Sequence, residues 1–179
     1  EAPATYREVG DAFNNQVDEQ GQGFAGGKVA VHHRPKLGEG QAGEGRKLNI
    51  LGQTATIKLV QHTTEGEYYV FEVVTPPGHG IPPHVHSRED EIIQVLEGEY
   101  EIQLGDQTYQ VKAGALLHFP RYIPHAFRNV GRESGVTLWT VIPGGNFEKF
   151  FEELGALPAG GPPDMAKVAA IFGSYGMEI

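Results

Sequence analysis

The sequence predicts an all-β fold, built as a sandwich or a closed barrel. From Lys47 onward, apolar and polar residues alternate in short segments of the kind that form half-buried strands. Two turn candidates, Glu97-Gly98 and Gly105-Asp106, have the two-residue length that hairpins favour. A helical period is absent between these segments and begins only after residue 145.

The alternation places apolar side chains on one face of each predicted strand. Over 54–60 that face carries Ala55, Ile57 and Leu59. Over 67–74 it carries Tyr69, Phe71 and Val73, while the opposite face is charged. The same reasoning, applied to the rest of the barrel, predicts strands at 91–96, 99–104, 107–111, 115–119, 125–130 and 135–142.

The end of the chain changes to a helical period. Apolar residues recur at the i, i+3, i+4, i+7 spacing in two stripes, one after Asn146 and one after Asp164. The stripes consist of Phe147, Phe150, Phe151, Leu154 and of Met165, Val168, Ala169, Phe172. We expect two short helices that lie against the outside of the barrel or against a partner subunit.

Three regions follow from these patterns. Residues 1–46 contain few apolar side chains and many Gly, Gln, Asn and Asp, which predicts an irregular N-terminal arm. Residues 47–145 form the β-barrel, and residues 146–179 form a helical tail packed on it. At 179 residues, the chain is long enough for one domain with a substantial core.

Composition excludes several kinds of partner and site. A net charge of −9 disfavours binding to nucleic acid or to an anionic membrane, and no apolar stretch is long enough to span a bilayer. The absence of cysteine excludes disulfides, thiolate metal sites and cysteine nucleophiles. We expect a cytoplasmic protein; because the chain starts at Glu1 without Met, a removed signal peptide is the alternative.

One cluster of residues has the side chains of a metal-binding site. His84 and His86 are two residues apart and therefore share a face of an extended strand. Glu91 follows five residues later, and His125 begins a later strand. Three imidazoles and a carboxylate are ligands that suit a divalent transition metal, with nickel, manganese, iron, cobalt, copper and zinc all open. The predicted metal ligands are His84, His86, Glu91 and His125.

These residues resemble the two motifs of the cupin superfamily. Gly78, His84, His86, Glu91 and Gly98 match the spacing of the first motif. The second motif is matched by Gly114, Pro120, His125 and Asn129. One departure is Tyr122, where the family usually has glycine, which affects the loop before His125 and not a ligand. The resemblance implies a single cupin jelly-roll barrel, or double-stranded β-helix, with the metal held by the four residues named above.

From about Gly52 to the end, the chain is similar to bacterial single-cupin proteins of the quercetin dioxygenase-like group. That resemblance rests on the two motifs and on the helical tail from Pro143 to Gly155 and from Met165 to Ile179. It implies an oxidoreductase that cleaves a flavonol heterocycle with O2 and releases carbon monoxide. Glu91 would be the catalytic base. It also implies a homodimer, which the apolar tail helices fit.

The inward face of the strands predicts the wall of a substrate pocket for an aromatic or enolic molecule. Its predicted residues are Tyr69, Phe71, Ile93, Val95, Phe127 and Trp139. Two other functions stay open. One is a different metal cupin enzyme, a dioxygenase for a polar substrate or an isomerase. The other is a cupin that binds or senses a small molecule without turnover.

Overall fold

The structure, a computed structural model, describes residues 43–159 and 161–179. The predicted N-terminal arm therefore lies outside the described residues except for 43–46. The first half of the barrel contains β1 (Arg46–Ile50), β2 (Gln53–Leu59), a short helix α1 (Gln61–Thr64), β3 (Tyr69–Thr75), β4 (Gly80–His86) and β5 (Asp90–Glu97). It continues with β6 (Glu99–Leu104), β7 (Gln107–Lys112), β8 (Leu116–Phe119), β9 (His125–Asn129) and β10 (Gly135–Ile142). The tail contains α2 (Phe147–Gly155), α3 (Met165–Ser174) and β11 (Met177–Glu178).

The strands form two antiparallel sheets. The six-stranded sheet has the order β1-β2-β3-β10-β5-β8, and the five-stranded sheet has the order β11-β4-β9-β6-β7. Side chains from both sheets contribute to one apolar core, which includes Phe71, Ile93, Tyr100 and Phe127. The fold is thus the all-β jelly roll with C-terminal helices that the sequence predicted.

The period-two alternation explains how each strand presents one face to this core. Along β3, Tyr69, Phe71 and Val73 are buried, whereas the residues between them are partly exposed. The same alternation along β5 buries Glu91 together with Ile93 and Val95. A carboxylate on the apolar face of a strand is costly unless it has partners. Its position therefore points to a site rather than to core structure alone.

The connection at Glu97-Gly98 is not the hairpin turn that its length predicted. The strands on either side of it, β5 and β6, belong to different sheets, so the chain crosses between sheets here. Gly98 has a φ of +92°. A Cβ at this position would lie 2.8 Å from the Cα of Gly135, so the close approach of two backbones requires glycine. Gly105-Asp106 does join the paired strands β6 and β7.

Both tail helices form where the sequence predicted them, with small differences at their ends. Asn146 precedes α2 without a side-chain capping bond, whereas the Asp164 carboxylate accepts hydrogen bonds from the backbone amides of Ala166 and Lys167. Helix α3 continues one residue past Gly173, the predicted stop. No helix in the described parts of the chain is long and apolar enough to cross a membrane.

Candidate metal centre

The four predicted ligands lie together at one end of the barrel. His84 and His86 are on β4, and His84 is the backbone partner of His125, the first residue of β9. Glu91 comes from β5 in the other sheet. All four side chains are buried, and one nitrogen or carboxylate oxygen from each lies within 4.8 Å of the others. Two sheets therefore meet at this group.

Backbone carbonyls orient two of the imidazoles. The Nδ1 of His84 lies 2.9 Å from the carbonyl oxygen of Pro82, and the Nδ1 of His125 lies 2.9 Å from that of Ile123. A carbonyl only accepts hydrogen bonds, so each Nδ1 carries the proton and donates it. The Nε2 of both rings is then unprotonated and directed at the group, which is the form that binds a metal.

The third imidazole has a carboxylate as its outer partner. The Nδ1 of His86 lies 3.4 Å from Oε2 of Glu89, and its Nε2 lies 3.8 Å from Oε2 of Glu91. Both the Nδ1 of His86 and the Oε2 of Glu89 are buried, and neither has a hydrogen-bond partner among the described residues. A proton on this Nδ1 would face the Glu89 carboxylate and leave Nε2 free. Glu89 was not among the predicted site residues, although its three-residue distance from His86 was visible in the sequence.

Burial and mutual charge set the ionisation of the group. Burial, reinforced by the charge of His125, lowers the pKa of His84 to about 3. Burial raises the pKa of Glu91, but the charge of His86 and the close approach of His125 outweigh it and lower that pKa to about 2. At neutral pH, His84 is therefore a neutral imidazole and Glu91 is a carboxylate. These are the states in which both residues bind metals.

Whether the four side chains suit a cation can be judged from buried polar atoms that have no hydrogen-bond partner. Oε2 of Glu91 and Nε2 of His125 lie 3.2 Å apart, and both are buried without a hydrogen-bond partner among the described residues. Buried polar atoms in this condition cost free energy unless something binds them. A cation placed among the four side chains would satisfy these atoms together, so the residues fit the metal that the donor set favours.

A small apolar cavity of about 50 Å³ adjoins the group. Three of the six predicted pocket residues line it: Phe71, Phe127 and Trp139. The other three, Tyr69, Ile93 and Val95, are buried but do not line it. Tyr69 is covered by Phe147 and Phe151, whose ring centroids each lie 5.8 Å from its own.

The tail helices complete this cavity instead of lying only on the outside of the barrel, as expected from the sequence. We call the four phenylalanines that they contribute the aromatic roof: Phe147, Phe150, Phe151 and Phe172. The ring of Phe172 is 5.5 Å from that of His84, and the ring of Phe147 is 6.0 Å from that of His86. The helical stripes identified these side chains as buried, but only the fold shows that they cover the predicted ligands His84 and His86.

The loop that precedes His125 is held by two contacts with the ligand strands. The carboxylate of Asp90 accepts hydrogen bonds from the backbone amide, Nε and Nη2 of Arg121, at 2.8, 3.0 and 3.1 Å. These bonds lower the pKa of Asp90 to about 2. The amide of Tyr122 donates to the carbonyl of His86. The loop is therefore fixed to Asp90, the neighbour of Glu91, and to the backbone of His86.

Tyr122 stands at the position where the cupin motif usually has glycine. Its φ is +67°, in the left-handed region that glycine adopts freely. We expect Tyr122→Gly to raise the free energy of unfolding by roughly 0.5–1 kcal/mol, because relief of left-handed strain exceeds the entropic cost of glycine. Tyr122 is 67% exposed, so little apolar burial is lost.

Urea unfolding measures the change in the free energy of unfolding. Tyr109→Gly, an exposed tyrosine within β7, is the matched control and should destabilise. Destabilisation by both substitutions would contradict the strain at Tyr122.

Glu89 should matter to the metal without touching it. We expect Glu89→Gln to weaken metal affinity by about 10- to 100-fold, because His86 loses the negatively charged carboxylate that lies behind its Nδ1. A competition titration against a chelating dye measures the affinity. Glu101→Gln, which removes a carboxylate from the exterior of β6, is the control and should change nothing. Equal affinities for the Glu89 variant and the parent would show that the Glu89 contact has no role.

Comparisons with known proteins agree with this architecture. Residues 71–141 match the family model Cupin_2, described as "Cupin domain". The chain is 34% identical over 67 residues to polyketide synthase CurC of Streptomyces cyaneus, covering 37% of this chain and 44% of that protein. It is 25% identical over 115 residues to quercetin 2,3-dioxygenase of Bacillus subtilis, covering 64% of this chain and 34% of that protein. The chain thus spans less than half the length of these two relatives.

A solved structure shows the same fold. It is a predicted oxalate decarboxylase from Thermotoga maritima, which superposes with a TM-score of 0.51 at 21% identity and covers 55% of this chain and 90% of that one. The family match, the two antiparallel sheets and the buried His/Glu group agree with the motifs found in the sequence. Residues 71–141 therefore form a cupin domain.

Proposed function

We propose that this protein is a metal-dependent dioxygenase, of the quercetin type or a related oxygen-using ring-cleaving type, which uses O2 to open an enol-bearing small molecule. The observation that carries the proposal is the buried group of three imidazoles and one carboxylate beside an apolar cavity. The likeness to quercetin 2,3-dioxygenase over 64% of the chain supports it further.

One divalent transition metal would be held by His84, His86, Glu91 and His125. When bound, such a metal supplies Lewis acidity and open coordination positions, since four protein ligands do not fill its coordination sphere. The chain supplies the orientation of the ligands. Pro82 and Ile123 fix the tautomers of His84 and His125 through their carbonyls, and Glu89 lies behind His86.

Glu91 is the proposed general base. Its carboxylate is ionised at neutral pH, and its Oε2 is free of hydrogen bonds among the described residues. An enol hydroxyl placed in the cavity would present its proton to this oxygen. Because the surroundings are apolar, a proton transfer there is protected from exchange with water. Glu91 would thus generate the enolate that reacts with oxygen.

The lining of the cavity favours this reaction over the alternatives for polar substrates. Apart from His84, His86 and Glu91, the polar side chain that lines it is Gln53. The amide of Gln53 is already used, because it donates to the carbonyl of Gly80 and accepts from Thr75 Oγ1. A highly hydroxylated or multiply charged substrate would therefore find few free partners.

Metal content measured by elemental mass spectrometry, on protein purified without chelators or metal resin, tests the proposal. Near one equivalent of nickel, manganese, iron, cobalt or copper, followed by oxygen uptake that depends on an added enolic substrate, is the expected result. Zinc with no oxygen uptake would favour an isomerase or a binding protein. Failure to bind any metal on soaking would overturn the proposal.

A further inference from the structure

The cavity beside the ligand group is small for the site of an enzyme that acts on organic molecules. Its volume is about 50 Å³. An apolar cavity that holds one benzene ring is about 150 Å³, and sites for drug-sized ligands are roughly 300–1,000 Å³. Some lining side chains must therefore move when a substrate binds, and the question is which ones.

The wall formed by the strands is the fixed side. Trp139 stacks on Phe71 with ring planes 8° apart, and its centroid lies 4.9 Å from that of Phe127. The indole Nε1 donates to Thr137 Oγ1 at 2.8 Å. These residues come from β3, β9 and β10, which are inner strands of the two sheets. Displacing them would disrupt the barrel itself.

The aromatic roof is the adjustable side, and its members differ. Phe147 stacks on Phe71 at a centroid distance of 6.1 Å, and Phe151 packs against Phe71 at 4.5 Å with its ring tilted by 56°, so both are tied to the fixed wall. Phe150 and Phe172 contact each other edge to face at 5.0 Å. Phe172 also lies against the ring of His84. Phe150 also contacts Phe147, Phe151 and Tyr175. Among the described residues, neither Phe150 nor Phe172 has a ring contact to Phe71, Phe127 or Trp139.

We propose that Phe150 and Phe172 determine substrate size at this centre, and that the native substrate is a compact enol with no more than one ring. The inference rests on the proposed function, which it makes more specific. Rotation of one of these side chains enlarges the cavity locally, whereas a three-ring flavonol requires them to be displaced from the core. Phe150 and Phe172 are 3% and 2% exposed, so that displacement removes large apolar surfaces from the core.

Two probes with the same chelating group test this. They are 2-methyl-3-hydroxy-4-pyranone, with one ring, and 3-hydroxyflavone, which carries two more aromatic rings. Dissociation constants are measured by calorimetry on the chain loaded with redox-inert Zn²⁺, after subtraction of binding to the metal-free chain. We expect the parent to bind the one-ring probe at least about tenfold more tightly, a difference of about 1.4 kcal/mol.

Enlarging the cavity should abolish this preference. Phe150→Ala and Phe172→Ala should each tighten 3-hydroxyflavone by about tenfold and leave the one-ring probe within about threefold. Phe150→Leu serves as the second variant if the alanine form does not fold. Val168→Ala is the matched control, because Val168 is fully buried in α3 but does not line the cavity. It should leave both constants unchanged.

The outcomes separate the two proposals. If the chain takes up no metal, or binds metal but neither probe, the proposed function fails. If metal and the one-ring probe bind, but the parent accepts 3-hydroxyflavone equally well, the size inference alone is overturned. It is likewise overturned if both phenylalanine variants keep the parent's ratio of dissociation constants.

Discussion

Replacing His84 or His125 with alanine is expected to weaken metal binding by more than about 100-fold, since loss of an outer partner alone costs about 10- to 100-fold. Each substitution removes an Nε2 that the carbonyl of Pro82 or Ile123 holds in the metal-binding tautomer. The remaining ligands cannot compensate, because they come from strands whose register fixes their positions. Metal content after dialysis against a weak chelator measures the loss.

His118→Ala provides the matched control. His118 lies on β8 opposite Ile92 and is exposed, so it shares the residue type but not the site. Its variant should retain metal as the parent does. Circular dichroism of each variant separates loss of the site from loss of the fold. If the His84 and His125 variants fold and bind metal like the parent, the ligand assignment is wrong.

Replacing Glu91 with glutamine should leave metal bound but lower the rate of turnover by about 10²–10⁴-fold, the range for loss of a general acid or base. The amide has nearly the shape of the carboxylate and can still offer an oxygen. It cannot accept a proton at neutral pH, whereas the pKa of Glu91 keeps that residue ionised. Oxygen uptake per equivalent of bound metal measures the effect and corrects for any decrease in metal affinity.

A Glu91→Gln variant that binds metal and turns over at the parent rate would remove the base role from Glu91. A variant that loses the metal entirely would show that Glu91 acts first as a ligand. Glu101→Gln, on the exposed part of β6, serves as the control here as well and should preserve both metal content and rate.

The strands and the grouping of the four His and Glu side chains could be predicted because their signals are local. Period-two alternation marks a strand within a few residues, and His84 and His86 share a face for the same reason. The crossing at Gly98 could not be predicted from its length. A hairpin and a crossing between sheets use the same short connection, and the outcome depends on pairing with the distant strand β10.

The lining of the cavity was predicted only in part. Alternation along a strand shows which face a side chain is on, but not where along the barrel that side chain lies. Ile93 and Val95 face inward like Glu91 but lie further along β5, away from the ligands. Phe150 and Phe172 were recognised as apolar stripes, but a stripe does not reveal what it covers. The homodimer stays a prediction, and analytical ultracentrifugation would test it.

The last strand gives the metal centre a mechanical connection to the end of the fold. Met177 in β11 is the backbone partner of His86, and the carbonyl of Gly176 accepts from both the amide and the hydroxyl of Ser87. A ligand that orders His86 must also order this pairing, by thermodynamic reciprocity. Amide hydrogen exchange in β11 and α3 should therefore slow when metal binds. The tail would then report whether the site is occupied, although it contributes none of the four predicted ligands.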